Sequence, residues 1–354
     1  MSMSRGAARR MRWFGGVLTL TLLSIGVGPL TAQSGPSPYR LVEDWAQLPG
    51  GREMGAVGKV TVDPDGRHIW AVIRCDAPGS EFGWECLDSD LDPILKFDPD
   101  GRVVESFGSG LFIWPHGIEV DHLGNVWVTD AVGSGRIPDG DARGHQVIKF
   151  GPTGEVLLRL GTPGREGGGR TGFTSPSDVA VAANGDVFVA DGHNNVGNNR
   201  VVKFTNDGRY LMEWGQTGYA PGEFRALHAI DIDADGRVFV GDRSNNRIQI
   251  FDQQGTHLAS WTQFGRPSGI AFDREGRIIV ADSESDDVQN PGWEMGIRIG
   301  DARTGWVSEF IVYQWGDPRS TAGNGAEFVA VDALGNLYGG EPSPRKLQKY
   351  VRVR

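Results

Sequence analysis

Short runs of β-branched, aliphatic and aromatic residues recur along this chain, separated by turn residues in a fixed order. The unit reads as a β run, Asp-x-x-Gly, a second β run ending in Asp, and a loop that often holds Asn-Arg or Asn-x-Arg. A third run ending in Phe, a turn with Gly and a fourth run complete it. The clearest copy comprises Ile230–Asp233, Gly236–Asp242, Asn246–Phe251, the turn Gln254-Gly255 and Leu258–Trp261. Alternating or β-branched runs bounded by Asp-Gly, Asn-Gly and Gly-Asn are hairpin chemistry, and helical periodicity is absent.

Aligning the copies puts Gly58, His116, Ser177, His228, Ser268 and Glu327 at one position, early in the first run. Their spacings of 58, 61, 51, 40 and 59 residues define six units, and the added length falls in loops at residues 74–92, 131–145, 161–175, 192–199 and 284–296. Four-stranded units repeated around a ring predict an all-β fold, a six-bladed β-propeller. A parallel β-solenoid is the competing repeat architecture, but its units are shorter and lack antiparallel turns. The predicted organisation is a signal segment at 1–32, a lead-in at 33–50 and the propeller at 51–354. In such a ring the first strands line the axis, and alternate blades lie about 120° apart. Side chains at 116, 228 and 327 therefore converge on one point.

Composition changes the picture at the N-terminus. Arginines at 5, 9, 10 and 12 precede an uncharged stretch from Trp13 to Leu30 and then Thr31-Ala32-Gln33. This is the pattern of an export signal cleaved after Ala32, with a retained membrane anchor as the alternative; cleavage leaves no stable membrane span. Removing 1–32 takes away four arginines and no acid, lowering the formal charge from −10 to −14. An acidic exported protein is unsuited to nucleic acid or anionic lipid. The two cysteines, Cys75 and Cys86, share one loop and in a periplasmic or secreted setting are expected to form a local disulfide.

Two imidazoles and one carboxylate, His116, His228 and Glu327, form a donor set for zinc or another divalent transition metal with a position left open. Arg74 and Arg243 each follow the second run of a unit, where a guanidinium could pair with a substrate carboxylate or oxyanion, or serve as a solvated loop cation. His193, in the corresponding loop of the third unit, is a candidate acid or base or a surface histidine. Arg200 and Arg247 lie in the repeated Asn-Arg element and read as structural partners of strand-end aspartates. Gly161–Gly172 lacks a phosphate-loop pattern and a following helix, and no Gly-x-Ser-x-Gly elbow occurs.

With these segments in hand, the chain resembles NHL-repeat propellers and, within them, the peptidyl-α-hydroxyglycine α-amidating lyases. The resemblance is carried by Leu111–Asp121 with its Pro-His-Gly, Asn125–Asp130, Pro176–Val181, Val187–Gly192, Pro221–Phe224 and Asp242–Phe251 with its Asp-Arg-x-Asn-x-Arg-Ile-Gln. It implies a six-bladed propeller with an axial zinc held by three histidines, cleaving a peptidyl-α-hydroxyglycine to a peptide amide and glyoxylate. His116 and His228 match the first two ligands, and Arg74 and Arg243 match two active-site arginines. Three positions depart: Glu327 replaces the third histidine, His193 replaces an active-site tyrosine, and Phe328 replaces an aspartate that helps bind a structural calcium, which makes calcium there doubtful.

By analogy the metal polarises the substrate hydroxyl, residue 193 moves its proton, and the arginines hold carboxylate and oxyanion. Carboxylate in place of imidazole leaves a bound hydroxyl less acidic. The expected substrate is a small molecule or short peptide bearing a carboxylate. The leading reading is an exported metal-dependent lyase, with an altered substrate allowed. A metal-dependent propeller hydrolase such as a lactonase is one rival, and a non-enzymatic NHL-type binding scaffold the other.

Overall fold

The computed structural model describes residues 37–76, 81–193, 195, 197–314, 316–320 and 325–353. In chain order the strands are β1 (Tyr39–Val42), β2 (Val57–Val62), β3 (Ile69–Ile73), β4 (Ile94–Phe97), β5 (Val103–Phe107), β6 (Pro115–Val120), β7 (Val126–Asp130), β8 (Gln146–Phe150) and β9 (Val156–Gly161). There follow β10 (Pro176–Val181), β11 (Val187–Asp191), β12 (Arg200–Phe204), β13 (Tyr210–Trp214), β14 (Leu227–Ile232), β15 (Val238–Asp242), β16 (Arg247–Phe251) and β17 (His257–Trp261). The last are β18 (Pro267–Phe272), β19 (Arg277–Asp282), β20 (Gly296–Asp301), β21 (Val307–Val312), β22 (Phe328–Val331), β23 (Leu337–Glu341) and β24 (Lys346–Arg352).

They form six four-stranded antiparallel sheets, which we call blades 1 to 6. Blades 1 to 5 are consecutive quartets beginning at β2, β6, β10, β14 and β18. The first strand of each blade neighbours the first strands of the adjoining blades, and β22 neighbours β2, so the ring closes. The predicted propeller is the observed fold, and the long loops fall between strands as expected.

Hairpin turns explain why the sequence cuts into these strands. In the β14–β15 turn, Asp233 Oδ1 accepts the backbone N–H groups of Asp235 and Arg237, and Gly236 donates its N–H to the Asp233 carbonyl. Gly236 adopts φ +79°, a left-handed conformation that glycine enters without steric cost.

Burial follows radial position. The second strands β3, β7, β11 and β15 are buried at every residue, whereas the outer strands β5 and β17 alternate half-buried and exposed residues. Each inner strand is covered on both faces by neighbouring blades, so its sequence loses period-two alternation. The core is correspondingly divided among the blade interfaces: Trp70, Val72 and Ile94 of blade 1 pack against Ile118, Val126 and Phe150 of blade 2.

The lead-in segment contributes more than its sequence suggests. β1 pairs antiparallel with β24, from Tyr39 opposite Arg352 to Val42 opposite Lys349, and is the outer strand of blade 6. The C-terminal part of the chain supplies only three strands to that blade, and an unpaired outer edge would leave a row of backbone groups open. Trp45 then inserts between Phe97 of blade 1 and Tyr338 of blade 6, at centroid separations of 5.8 and 4.9 Å.

Cys75 and Cys86 form a disulfide in the loop between β3 and β4. Among the described residues no helix is long and apolar enough to cross a membrane. The signal segment at 1–32 lies outside the described residues.

Candidate metal centre and active site

One face of the ring gathers the starts of the first strands and the ends of the second strands. Gly58, His116, Ser177, His228 and Ser268 are each the second residue of their blade's first strand, and Glu327 immediately precedes β22. The inner strands approach backbone to backbone at the next position. A Cβ on Gly117 would lie 2.7 Å from the Asp178 Cα, and one on Gly269 would lie 2.6 Å from the Phe328 Cα. Side chains larger than hydrogen would wedge the ring open there and spread the residues beside them.

Alternation around the ring then sets the chemistry. His116 and His228 are fully buried, and their Nδ1 atoms lie 2.7 and 2.6 Å from the backbone carbonyl oxygens of Ser177 and Ser268. Blades 3 and 5 therefore orient the imidazoles of blades 2 and 4. A carbonyl oxygen only accepts, so each Nδ1 carries the proton and each neutral ring presents its lone pair at Nε2. Burial lowers the pKa of both rings well below the ordinary histidine value, with His228 adding to the effect at His116 and Arg243 at His228.

Those lone pairs face an anion. Glu327 Oε1 lies 3.2 Å from His228 Nε2 and 4.0 Å from His116 Nε2. His193, two residues beyond the end of β11, is held by a 3.1 Å hydrogen bond from its backbone N–H to the Ser175 carbonyl, and its ring lies 4.8 Å from Trp114. One donor atom from each of His116, His193, His228 and Glu327 lies within 4.8 Å of the other three. The Nε2 atoms of the three histidines and Oε2 of Glu327 are buried without a hydrogen-bond partner among the described residues. Converging lone pairs and a carboxylate repel one another unless a cation sits between them, and the set suits a divalent transition ion. The residues present fit the metal implied by the sequence.

Phe328 is also accounted for. Its ring stacks on His228 at 5.1 Å and meets His116 edge-on at 5.4 Å, so it braces the two imidazoles and offers no oxygen to a calcium ion.

Both arginines reach the cluster. Arg74 is 1 % exposed; its guanidinium stacks on Trp114 at 4.5 Å, its Nε donates to the Pro115 carbonyl at 3.3 Å, and its Nη2 lies 3.8 Å from Glu327 Oε2. Arg243 Nη1 lies 3.8 Å from Glu327 Oε1 and 3.1 Å from Glu284 Oε1. Arg74 Nη2 and Arg243 Nε and Nη1 are buried and make no aligned hydrogen bond, leaving donors for an anion. Arg200 and Arg247, by contrast, pair with the strand-end aspartates Asp191 and Asp242 at 3.1 and 2.6 Å. They brace the loops, as their repeated position suggested.

A cavity of about 360 Å³ opens over this cluster, lined at depth by Arg74, His193, Arg243 and Glu327. It brings in two residues that sequence reasoning missed. Glu284 bridges Arg243 and Arg266, and these cations outweigh burial to hold its carboxyl below the usual range. Its signal was available: it stands two residues after Asp282, as His193 stands after Asp191. Glu85, beside Cys86, is 6 % exposed; burial pushes its carboxyl up against the pull of Arg74. No repeat position marks it, because the disulfide-closed loop is an insertion.

Comparisons with known proteins agree with the fold. A model described as NHL repeat matches residues 173–204, 224–251 and 264–289, within blades 3, 4 and 5. The chain is 31 % identical over 275 residues to the probable peptidyl-alpha-hydroxyglycine alpha-amidating lyase of Caenorhabditis elegans, covering 72 % of this chain and 74 % of that protein. The chain belongs to the NHL-repeat amidating-lyase family. It is also 34 % identical over 200 residues to NHL repeat-containing protein 3 of Homo sapiens, covering 54 % of this chain and 55 % of that protein. The chain thus spans about half the length of that relative. A solved streptogramin B lyase shares the fold, with a TM-score of 0.56 at 15 % identity, covering 88 % of this chain and 97 % of that one.

Proposed function

We propose that this chain is an exported, metal-dependent lyase that splits an α-hydroxyglycine-type substrate into an amide and glyoxylate. The observation that carries this reading is the convergence of unpartnered imidazole lone pairs and a carboxylate beside two buried arginines whose inward N–H groups make no aligned hydrogen bond. The family membership supports it. Export is supported by the signal pattern of residues 1–32 and by the Cys75–Cys86 disulfide.

His116, His228 and Glu327 would hold the ion, which when bound supplies a Lewis acid for the substrate hydroxyl. The chain's own residues do the rest. Arg74 and Arg243 pair with the substrate carboxylate and fix the reacting carbon over the cluster. His193, which lines the cavity and whose Nε2 has no hydrogen-bond partner among the described residues, takes the hydroxyl proton. As the C–O bond gains double-bond character the C–N bond breaks, and the departing amide nitrogen collects a proton from the Glu85 carboxyl, whose hold on a proton burial strengthens against the pull of Arg74. A proton passing from His193 to Glu85 restores the starting state, so the reaction consumes no water. Glu284 keeps Arg243 in place.

Elemental analysis of the purified protein, with glyoxylate release assayed beside a lactone panel, tests the reading. One divalent transition metal per chain is expected, lost in His116→Ala and His228→Ala and retained in His193→Phe, with glyoxylate release abolished in all three. A metal-free, active wild-type protein refutes the metal. Lactone cleavage without glyoxylate moves the protein to the hydrolases, and a metal-free, inactive one to the binding scaffolds.

A further inference from the structure

The metal-centred cavity does not end at its rim. Its outer wall includes Asp76 and Arg345, and the same two residues line a larger groove of about 720 Å³ beside it. An ion pair of 2.8 Å between Arg345 Nε and Asp76 Oδ2 stands at the junction, and the Arg345 side chain is 59 % exposed. Asp76 and Arg345 adopt φ of +41° and +53°, a left-handed backbone that such residues enter at a cost and that collects at ligand sites.

The groove runs between residues 49–55 and residues 89–92, with Met54 and Leu91 as apolar lining. Its charge is lopsided. Glu53, Asp90 and Asp92 join Asp76 on its walls, against Arg52 and Arg345 alone. Arg52 is committed inward, donating to the carbonyls of Asp92 and Ile73 at 2.8 and 3.4 Å. Glu53 and Asp90 are exposed to any occupant.

We infer that the substrate is an extended chain whose reacting end lies over the metal centre and whose tail passes Arg345–Asp76 into this groove, which selects neutral or basic tails over acidic ones. The inner cavity alone accommodates the carboxylate-bearing end, and a contiguous groove of twice its volume has the size of a ligand site in its own right. Arginines grip the anionic end while acids line the path beyond it, so the two regions favour opposite charges and fix the direction of the bound chain. This rests on the reading of the metal-centred cavity as the reaction site.

The test uses N-terminally dye-labelled peptides ending in glycine, which lack the hydroxyl and stay intact, with lysine-containing or glutamate-containing tails. Binding to the metal-loaded full chain is read by fluorescence anisotropy. The lysine tail should bind about tenfold more tightly, the sum of a few exposed charge pairs. The preference should reverse in Glu53→Lys/Asp90→Lys and persist in Asp207→Lys/Asp235→Lys, a charge-matched control on turns at the opposite face. Equal binding of both tails, no peptide binding, or the same shift in the control overturns the inference. Glyoxylate release from hydroxyglycine peptides without a tail preference fails the groove alone. A tail preference without glyoxylate from any of them fails the reaction and leaves the groove standing.

Discussion

Glu327→Gln removes one charge and almost no volume from the centre of the cluster. The carboxylate sits 3.8 Å from Arg74 Nη2 and 3.8 Å from Arg243 Nη1. At an effective dielectric constant of about 20, each such pair attracts by about 4 kcal/mol before desolvation is subtracted. The two arginines are unequal. Arg243 keeps Glu284 at 3.1 Å, whereas Glu327 is the one carboxylate within salt-bridge distance of Arg74 among the described residues. Losing the charge should therefore free Arg74 to pair with an external anion, while the ion's site is left with imidazoles and a neutral amide. Two titrations follow. Metal affinity, measured by competition with a chelator, should fall by at least about tenfold, on the scale of losing an ionic ligand. Glyoxylate binding to the chelated protein, read by quenching of Trp114 beneath Arg74, should tighten by about tenfold, a third or so of one pair's gross attraction. Unchanged metal affinity would remove Glu327 from the donor set. Unchanged or weaker glyoxylate binding would refute the idea that Glu327 competes with substrate for Arg74.

Farther along the axis, Lys59 donates to Asp178 at 2.8 Å and lies 3.6 Å from Glu119, with burial opposing its charge and the acids outweighing burial to raise its pKa. Lys59→Met strands buried Asp178 and should cost about 3–5 kcal/mol at neutral pH and less in acid, measured by urea unfolding. Asp231 belongs to the same group, its carboxyl pushed up to about 8 by burial and then by Glu119. Its folded pKa lies above its unfolded value, so its share of stability is complete below about pH 4 and is lost as pH rises through about 8. Asp231→Asn should flatten unfolding free energy across that window, and an unchanged slope would show that another group governs it. Replacing Cys75 and Cys86 with Ser opens a short loop and should cost about 3 kcal/mol by the loop-entropy estimate, seen as a lower Tm. Because Glu85 adjoins Cys86, glyoxylate release should fall more steeply than Tm alone predicts; a proportionate fall would make the loop merely structural.

The ring was legible because its signals are local. Asp-x-x-Gly turns such as Asp233–Gly236 and runs such as Val238–Asp242 state their conformation within a few residues, and six copies in register leave few folds to choose from. The trio at 116, 228 and 327 was legible for the same reason, since register in a closed ring is also angle about the axis. β1 was not. Tyr39–Val42 carries no repeat signature, and its partner Lys349–Arg352 lies at the other end of the chain. His193 was ambiguous because loop residues carry no periodicity, and its place 4.6 Å from the His116 ring depends on the Ser175 carbonyl and on Trp114.

Sequence alone determined the hairpins, the count of six and the donor types at the inner ring, because these depend on turn chemistry and on period. Tertiary structure decided what those donors experience. The Ser177 and Ser268 carbonyls set the histidine tautomers, Phe328 braces the rings, and Glu284 and Glu85 enter from loops of other blades. It also joined the Asp76–Arg345 pair, 269 residues apart, into one doorway. Tautomer, burial and charge balance are properties of neighbours in space, and a closed ring makes neighbours of residues that the chain keeps far apart.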